Sequence, residues 1–365
     1  MTIATMIATD DPSLTDDLLR LAAAADARVE LVRDAGQATR GWHRPALVIV
    51  GGDLADAIAA EAPDRRDGVV VVTNDPDPAP AYGSAVEIGA EDVARLPADG
   101  PWLIDAMASA TEPKGRGSLT CVLGTTGGIG ASVLSAALGL TAARAGLRTL
   151  LVDADPYGGG IDLVVGIEER PGRRWSDLAS CSGRLSAVAL HEELPRLGDL
   201  SVLSCKRDRL TTVTGEAAPS LLDAAVRGFD LVIVDVPRYQ GEIGRAALRA
   251  ADTTLVLAPA EVRATLAADT QVAALRADVA GLRDGSADMR VIVRVPAPGD
   301  VTPEVVADAL GVPLAGLLTH DIRLARAIET GDLIPALQGS RLAGLCEDLL
   351  PGLHPRAVEE GRLAA

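Results

Sequence analysis

Lysine is almost absent from this sequence, and aromatic residues are scarce. Only Lys114 and Lys206 are lysines among 34 cationic residues, and Phe, Trp and Tyr make up 2% of the 365 residues. Because 48% of the chain is nevertheless hydrophobic, its core must be built from Val, Leu, Ile and Ala. That composition is typical of a buried parallel sheet covered by Ala-rich helices. The length favours two domains.

Cysteine and histidine are equally sparse, which argues against a metal-binding or disulfide-stabilised protein. The four cysteines do not form Cys-x-x-Cys pairs, and there are four histidines. Scattered thiols fit a reducing cytosol. The N-terminus has no basic segment, and no apolar run approaches the roughly 18 residues of a membrane-spanning helix. These features predict a cytoplasmic protein without a signal peptide.

Acidic residues outnumber basic ones, giving a formal net charge of −17. Nucleic acids and anionic lipid surfaces are themselves negatively charged, so a chain of this charge is a poor partner for either. We therefore predict no nucleic-acid binding.

Strand-like and helix-like runs alternate through residues 1–110. This alternation predicts a parallel sheet with helices on both faces. The predicted strands are 2–8, 28–32, 46–50, 68–73 and 84–88.

The order and spacing of these runs resemble a response-regulator receiver domain, which has a flavodoxin-like fold. In that family an aspartate ending the third strand accepts phosphate; here Gly51–Gly52 stands at that place, and Asp53 lies beyond it. Leu96 replaces the lysine of the family's lysine-proline pair. The pair Asp10–Asp11 could mimic the family's acidic residues or serve only in a turn and helix cap. We predict a degenerate receiver-like domain that docks partners without phosphotransfer.

A polar stretch containing Pro and Gly, 111–118, is the predicted linker to a second domain over 119–351, which a tail over 352–365 follows. The second domain is predicted to be a doubly wound parallel α/β sheet, whose ligands bind at the carboxyl ends of its strands. Its predicted strands are 119–124, 148–153, 200–204, 230–236, 253–258, 290–295 and 313–318.

The loop "GTTGGIGAS", 124–132, connects the first of these strands to a helical pattern. Its glycines allow backbone N–H groups to turn onto phosphate oxygens, and the following helix adds its positive dipole end. Ser132 supplies a hydroxyl for Mg²⁺. The same loop could instead be only a tight turn. The predicted nucleotide-binding residues are Thr125, Thr126, Gly127, Gly128, Ile129, Gly130, Ala131, Ser132 and Val133.

Acidic residues end two further predicted strands. Asp153 and Asp155 follow one apolar run, and Asp235 ends another. A strand-end acid of this kind is the Walker B pattern, which holds Mg²⁺ through water. If nucleotide binds, the predicted Mg²⁺ residues are Ser132, Asp153 and Asp235. Asp153 and Asp155 could instead only cap the next segment, but an acid such as Asp235 on a buried strand is costly without a partner.

Together these pieces resemble the MinD/ParA family of deviant Walker ATPases over about residues 118–335. The glycines and Ser132 match the family's loop. Thr126 replaces the signature lysine that reaches across a dimer, and Ala131 replaces the P-loop lysine that holds the β- and γ-phosphates. The resemblance implies ATP and Mg²⁺ as cofactors and a homodimer as the working state.

The resemblance also assigns residues outside the loop. It implies that Asp155 orients the attacking water and that Asp235 is the Walker B acid. Val293 and Arg294 stand where the family often has Asn-Arg to read adenine.

The missing lysines bear on activity. A charged hydrogen bond contributes roughly 1.5–3 kcal/mol, so the loss of two would weaken phosphate binding or hydrolysis by about 10² to 10⁴. The backbone cradle does not need lysine, so weak ATP binding can survive. Hydrolysis is predicted to be slow or absent, because nothing in the motif neutralises charge on the γ-phosphate. Arg116, Arg238 or an arginine of a partner subunit could substitute.

A receiver-like domain fused to a MinD-like domain is similar to the CpaE/TadZ group, which places pilus and secretion machinery at cell poles. With a lysine-free loop, the architecture is most similar to the actinobacterial septum site-determining proteins (Ssd). The resemblance implies a spatial regulator of septum placement or cell division. Polar localisation of a pilus or secretion complex is the alternative. In both cases the receiver-like domain would dock the partners.

A dinucleotide-dependent oxidoreductase is an alternative of a different class. Asp153 follows Gly130 by 23 residues, where an acid binding a ribose could sit. The Walker B-like strand ending at Asp235 would then have no explanation.

The end of the second domain bears on membrane attachment. Leucines including Leu342, Leu345 and Leu349 recur at helical spacing without a basic face, and Pro351 is predicted to stop the helix. We predict that this helix docks on the core and does not insert directly into a membrane. Any membrane association at a septum or pole would then depend on a partner.

Overall fold

The computed structural model describes residues 4–77, 79–110, 117–179, 185–207, 217–280, 288–296 and 301–354. The chain divides into two compact units, Met1–Pro113 and Lys114–Ala365. Most of the predicted linker 111–118 and of the tail 352–365 lies outside the described residues. Ser118, at the end of the predicted linker, already belongs to a strand.

The N-terminal unit is a five-stranded parallel sheet with strand order β2-β1-β3-β4-β5. This order is the flavodoxin-like one, so the predicted receiver-like fold is confirmed. Its strands are β1 (Thr5–Ala8), β2 (Val29–Val32), β3 (Leu47–Gly51), β4 (Val69–Thr73) and β5 (Asp92–Arg95). Its helices are α1 (Pro12–Ala24), α2 (Ala35–Arg40), α3 (Gly52–Ala60), α4 (Ala79–Ile88) and α5 (Gly100–Ala110).

The predicted fifth strand, 84–88, is wrong: these residues belong to α4, and the fifth strand is β5. Ala81, Ser84, Ala85 and Ile88 are the buried positions of α4. They recur every three or four residues, which is the helical period. A run of five residues is too short to show whether its apolar positions follow the period of a strand or of a helix.

The core of the N-terminal unit has two layers, one on each face of the sheet. Trp42 and Met6 are buried on the face covered by α2, α3 and α4. On the opposite face, Leu18 of α1 and Met107 of α5 are buried against the sheet.

The C-terminal unit is an eight-stranded sheet with order β13-β12-β11-β6-β10-β7-β9-β8. All its pairs are parallel except that of the short β8 with β9. The predicted doubly wound fold is confirmed, although β8 was not predicted. The strands are β6 (Ser118–Gly124), β7 (Thr149–Asp153), β8 (Arg196–Leu197), β9 (Leu200–Leu203), β10 (Leu231–Val236), β11 (Thr253–Pro259), β12 (Asp288–Val295) and β13 (Leu314–Thr319).

Helices cover both faces of this sheet. One face is covered by α6, α7, α14, α15 and α16. The other face is covered by α8 to α13. Their bounds are α6 (Ala131–Arg144), α7 (Ile161–Val165), α8 (Trp175–Leu178), α9 (Ala187–Glu193), α10 (Ala217–Gly228), α11 (Glu242–Ala250), α12 (Val262–Ala280), α13 (Pro303–Leu310), α14 (Ile322–Glu329), α15 (Leu333–Leu337) and α16 (Arg341–Leu353).

The last helix packs into the core as predicted. Leu342, Leu345 and Leu349 are buried in the cluster that also contains α6. The expected stop at Pro351 is wrong, because α16 continues to Leu353. A proline in the last turn removes only one backbone donor, and burial of Leu353 favours the additional helical residues. Across the described residues, we find no helix that is both long and apolar enough to span a membrane.

Candidate phosphate-binding loop and acidic strand ends

The loop between β6 and α6 is anchored at its first residue. The backbone N–H and the hydroxyl of Thr125 both donate to the carbonyl oxygen of Leu257, each at 3.0 Å. Thr125 is fully buried. The loop therefore leaves the sheet from a position fixed by the neighbouring strand β11.

The glycines give the loop a conformation that other residues would resist. Gly128 and Gly130 have φ of +69° and +101°, in the left-handed region that favours glycine. A Cβ on Gly124 would lie 2.9 Å from Cγ2 of Ile129, so the loop packs tightly against its own strand. A Cβ on Gly127 or Gly128 would contact nothing within 4 Å. Open space therefore faces the tip of the loop.

The residues after the glycines begin α6. Gly130 precedes the helix without a side-chain cap, and Ser132 in the first turn is exposed. Unpaired N–H groups at a helix start favour an anion. Ala131 and Thr126 are both partly exposed and provide no charge. The loop thus presents glycines and a helix start without a charged side chain at positions 126 and 131.

Asp235 lies beside the first turns of this helix. Ser135 donates to its Oδ1 at 3.2 Å. Burial raises the pKa of Asp235 to about 7, and the nearby charges of Asp153 and Asp155 add to that effect; hydrogen bonds from Ser132 and Ser135 oppose it. Asp235 is therefore a buried carboxyl poised to titrate near neutrality.

Asp153 is the strand-register partner of Asp235 on the neighbouring strand β7. Only 3% of it is exposed, and burial raises its pKa to about 6. Its Oδ1 accepts from the N–H of Asp155 at 3.0 Å; its Oδ2 accepts from Ile161 at 2.9 Å and from the Ser204 hydroxyl at 3.3 Å. Both oxygens are thus occupied in shaping the loop that follows β7.

Asp155 lies within that loop. Its Oδ1 accepts from the N–H of Tyr157 at 2.9 Å, and its carboxylate is partly exposed. The structure thus brings together the three predicted acids at the carboxyl edge of the sheet.

A second group of charged residues supports the loop after β7, and the sequence had not suggested it. Asp162 is 1% exposed and accepts from Arg174, Arg207 and Ser204. Arg207 also donates to the Gly159 carbonyl at 2.9 Å. The only signal in the sequence was an acid at the start of a short helix, which is common and unspecific.

A cavity of about 170 Å³ adjoins the glycine loop. Arg294 reaches across its rim: Nη1 donates to the Gly128 carbonyl at 2.8 Å, and Nη2 lies 3.1 Å from Nδ1 of His320. Val293, the other residue predicted near adenine, is fully buried in the core and cannot contact a ligand. The cavity is lined by Gly128, Ile129, Gly130, Val133, Arg294, Leu318, Thr319, His320, Asp321, Leu324, Ala325, Ile328 and Leu342.

The other cations proposed to replace the lysines are placed differently. Arg238 lies over the ring of Tyr239, 5.5 Å from its centroid, and Tyr239 is 84% exposed. Arg116 lies outside the described residues.

In the N-terminal unit, the carboxylate of Asp53 accepts from the Thr9 hydroxyl at 2.7 Å and from the N–H groups of Asp10 and Asp11 at 2.8 and 3.2 Å. Asp11 caps α1 by accepting from the N–H of Ser13 at 2.8 Å. The cap interpretation of Asp11 is therefore confirmed. The carboxylate of Asp53, in the first turn of α3, thus holds the segment between β1 and α1.

The surroundings of Asp53 are acidic. A cavity of about 250 Å³ is lined by Asp53, Asp56, Asp75 and Asp77, among others. Leu96, at the place of the receiver lysine, is 7% exposed and adds no charge. Within the described ranges of both units, no group of three or more His, Cys, Asp or Glu is arranged to hold a metal ion.

Two family models match the chain, one for each of its two compact units. Residues 8–118 match a model described as the Rv3660c-like, CheY-like N-terminal domain. Residues 118–278 match a model described as cellulose biosynthesis protein BcsQ.

Individual relatives extend the likeness to the whole chain. An uncharacterized protein of Mycobacterium tuberculosis, Rv3660c, is 36% identical over 359 residues, covering 95% of this chain and 99% of that protein. The septum site-determining protein MinD of Synechocystis is 26% identical over 215 residues, or 56% of this chain and 77% of that protein. The structure of MinD from Pyrococcus horikoshii complexed with Mg-ADP has a TM-score of 0.53 and 17% identity, covering 64% of this chain and 95% of that one.

Proposed function

We propose a function from the premise that this chain belongs to the family of the Mycobacterium tuberculosis protein Rv3660c and joins a CheY-like domain to a MinD/ParA-like domain. The proposed function is that of a spatial regulator in septum-site determination or cell-division inhibition. Its C-terminal domain would bind ATP with Mg²⁺ weakly and hydrolyse it slowly or not at all. Its N-terminal domain would dock partner proteins.

The observation that carries the nucleotide part is the retained cradle. Gly128 and Gly130 keep the left-handed backbone that turns N–H groups inward, and α6 begins directly behind them. The nine predicted residues, 125–133, would surround the phosphates. Backbone donors and the helix dipole attract phosphate without any lysine. The adjoining cavity of about 170 Å³ offers room for part of the nucleoside.

Mg²⁺ would be held by Ser132 and Asp235, with help from Asp153. The hydroxyl and the carboxylate are oxygen ligands, which Mg²⁺ prefers. Bound Mg²⁺ would neutralise charge on the phosphate oxygens. The raised pKa of Asp235 near 7 means that a cation would compete with a proton there. Asp153 would act by positioning, because both its oxygens are already engaged.

Asp155 would orient the attacking water if hydrolysis occurs. Its partly exposed carboxylate lies beside the two buried acids. Without a lysine, charge on the γ-phosphate would be poorly stabilised. Slow turnover therefore suits a protein that uses nucleotide as a conformational signal.

Self-association would use exposed loops around the site. Tyr157 and Tyr239, 82% and 84% exposed, follow β7 and β10 at this same edge. Exposed aromatic residues are frequent anchors of protein interfaces. A homodimer would pair these edges. A MinD of Aquifex aeolicus with TM-score 0.52 is described in a complex with MinC, and a comparable partner would act here at the division site.

Polar placement of pilus or secretion machinery, as in the CpaE/TadZ group, is the second candidate, because the same two-domain order supports it. The oxidoreductase alternative loses its main support, since only 3% of Asp153 is exposed and both its oxygens already accept hydrogen bonds from the protein.

Two experiments test the proposal. Purified protein is titrated with a labelled ATP analogue and Mg²⁺, and the absence of binding even at millimolar ligand would reduce the protein to a scaffold. Deletion and overexpression are then compared by cell length and septum position. Normal division in both strains would reject the septal role, and a defect in pili or secretion alone would favour the polar alternative.

A further inference from the structure

Arg294 makes its contacts with a loop that lies far from it in the sequence. It stands near the end of β12, yet its Nη1 donates to the carbonyl oxygen of Gly128 at 2.8 Å across 166 residues of chain. Its Nη2 lies 3.1 Å from Nδ1 of His320, after β13. An arginine has no acceptor, so this nitrogen of His320 must accept. The guanidinium is thereby held between the loop tip and the end of β13.

The charge of Arg294 is not neutralised by a carboxylate in the described part of the chain. Its two hydrogen-bond partners there are a carbonyl and an imidazole nitrogen that accepts. Arg207 differs, since it pairs with Asp162. Arg323 also differs, because it pairs with Asp321 at 3.0 Å. Positive charge at the rim of the cavity is therefore available to an anion.

We propose that Arg294 supplies the positive charge that the loop lacks at Ala131, by donating to the phosphate oxygens of a bound nucleoside polyphosphate. This inference rests on the proposed nucleotide-binding function. The guanidinium has further N–H donors beyond the two engaged by Gly128 and His320. It can therefore bind a phosphate while still holding the loop tip.

The contact with Gly128 assigns Arg294 to the phosphate rather than to the base. Gly128 lies in the cradle that surrounds the phosphates, whereas the apolar wall of the cavity is formed by residues such as Leu318 and Leu324. Guanidinium groups bind phosphate through paired, directional N–H donors. A cation supplied by a different strand thus replaces one normally carried by the loop.

The test compares three probes and three variants of the full-length protein. ATP, inorganic tripolyphosphate and adenosine, each with Mg²⁺, are titrated against Arg294→Gln, Arg294→Lys and the control Arg326→Gln. Arg326 carries the same charge, is exposed on α14 and does not line the cavity. Thermal unfolding of each variant verifies that it is folded. If Arg294→Gln does not fold, the binding affinities of Arg294→Lys still test the proposal.

We expect Arg294→Gln to weaken ATP and tripolyphosphate binding by about 10-fold to 100-fold, and to leave adenosine binding unchanged. Arg294→Lys should recover part of the loss, because it keeps the charge without the fork. Arg326→Gln should match the wild type.

Three results would overturn the inference. Wild-type tripolyphosphate binding in Arg294→Gln would reject it and leave the proposed nucleotide site intact. An equal loss of adenosine and ATP binding would assign Arg294 to the base or to the fold. Failure of the wild type to bind any phosphate probe at millimolar concentration would reject both this inference and the nucleotide part of the proposed function.

Discussion

Both units place acidic residues at the carboxyl edge of a parallel sheet, but they treat those acids in opposite ways. Asp53 is surrounded by donors: a hydroxyl and two backbone N–H groups bind its carboxylate. Asp235 is buried beside two other acids, and in the described part of the chain its carboxylate accepts from serine hydroxyls. An acid at the carboxyl edge of a sheet is therefore structural when backbone donors satisfy it. It remains available to a ligand when its charge is costly.

Asp235→Asn should have the largest effect, because it would remove the free-energy cost of a buried negative charge. Because burial raises the pKa of Asp235, its carboxyl favours the fold when protonated. That contribution is complete below its ordinary pKa of 3.8 and is lost as pH rises through about 7. At about 1.4 kcal/mol per pKa unit, the variant should be more stable than the wild type at pH 8 by up to about 4 kcal/mol.

Urea unfolding at pH 8 and pH 4 measures this difference, which should nearly vanish at pH 4. The same variant should lose Mg²⁺-dependent binding of nucleotide. A variant no more stable than the wild type at pH 8 would contradict the assignment of a costly charge to Asp235.

Restoring the lysine should have the next largest effect. Ala131→Lys adds a charged donor next to the cradle, worth roughly 1.5–3 kcal/mol, so ATP affinity should rise by about 10-fold to 100-fold. Titration with a labelled ATP analogue measures it, and Ala131→Gln is the uncharged control. Equal affinities in both variants would show that the loop no longer surrounds a phosphate.

Asp153→Asn should stabilise the fold less than Asp235→Asn. Burial raises the pKa of Asp153 to about 6, so removal of its charge favours the fold, but loss of its hydrogen bonds opposes that gain. In asparagine an NH₂ group replaces one carboxylate oxygen. That group would face one of the donors that Asp153 now binds, which are the N–H groups of Asp155 and Ile161 and the hydroxyl of Ser204. Leaving a buried donor unpaired costs about 1–3 kcal/mol of stability. Urea unfolding at pH 8 compares the stabilities of the two variants. An Asp153→Asn variant as stabilised as Asp235→Asn would mean that the hydrogen bonds of Asp153 contribute little.

Asp53→Asn should have the smallest effect, because it tests the acid whose carboxylate is already satisfied by donors. The amide keeps one acceptor, so the loss should be about 1 kcal/mol, confined to the unfolding of the N-terminal unit. Incubation of the wild-type protein with acetyl phosphate should leave it unphosphorylated. Phosphate on Asp53, detected by mass, would overturn the interpretation of this unit as a receiver-like domain without phosphotransfer.

Much of the fold could be predicted because the strands are apolar runs with breaks between them. β10 is an example, since four apolar residues lead directly to Asp235. The segment 84–88 failed because five residues contain too little of the helical period to reveal it. Burial of Ala81 and Ile88 on one face became visible only with the whole of α4.

The candidate site was predicted in part. Local patterns identified the glycines, Ser132 and the three acids, because each follows a recognisable strand. The contact of Arg294 with Gly128 could not be derived, since it joins residues 166 positions apart and depends on side-chain direction. The pairing of Asp162 with Arg174 and Arg207 is hidden for the same reason.

The anchoring of Thr125 to Leu257 has a consequence for synthesis of the chain. The glycine loop is a local segment, but its first residue is fixed by a strand 132 positions later, and its tip by Arg294. Contacts so distant in sequence form late, and a growing chain emerges from its N-terminus onward. A nascent chain that ends before β12 would contain every residue of the loop without its final shape. The proposed nucleotide site would therefore take its final shape only when the C-terminal sheet is nearly complete.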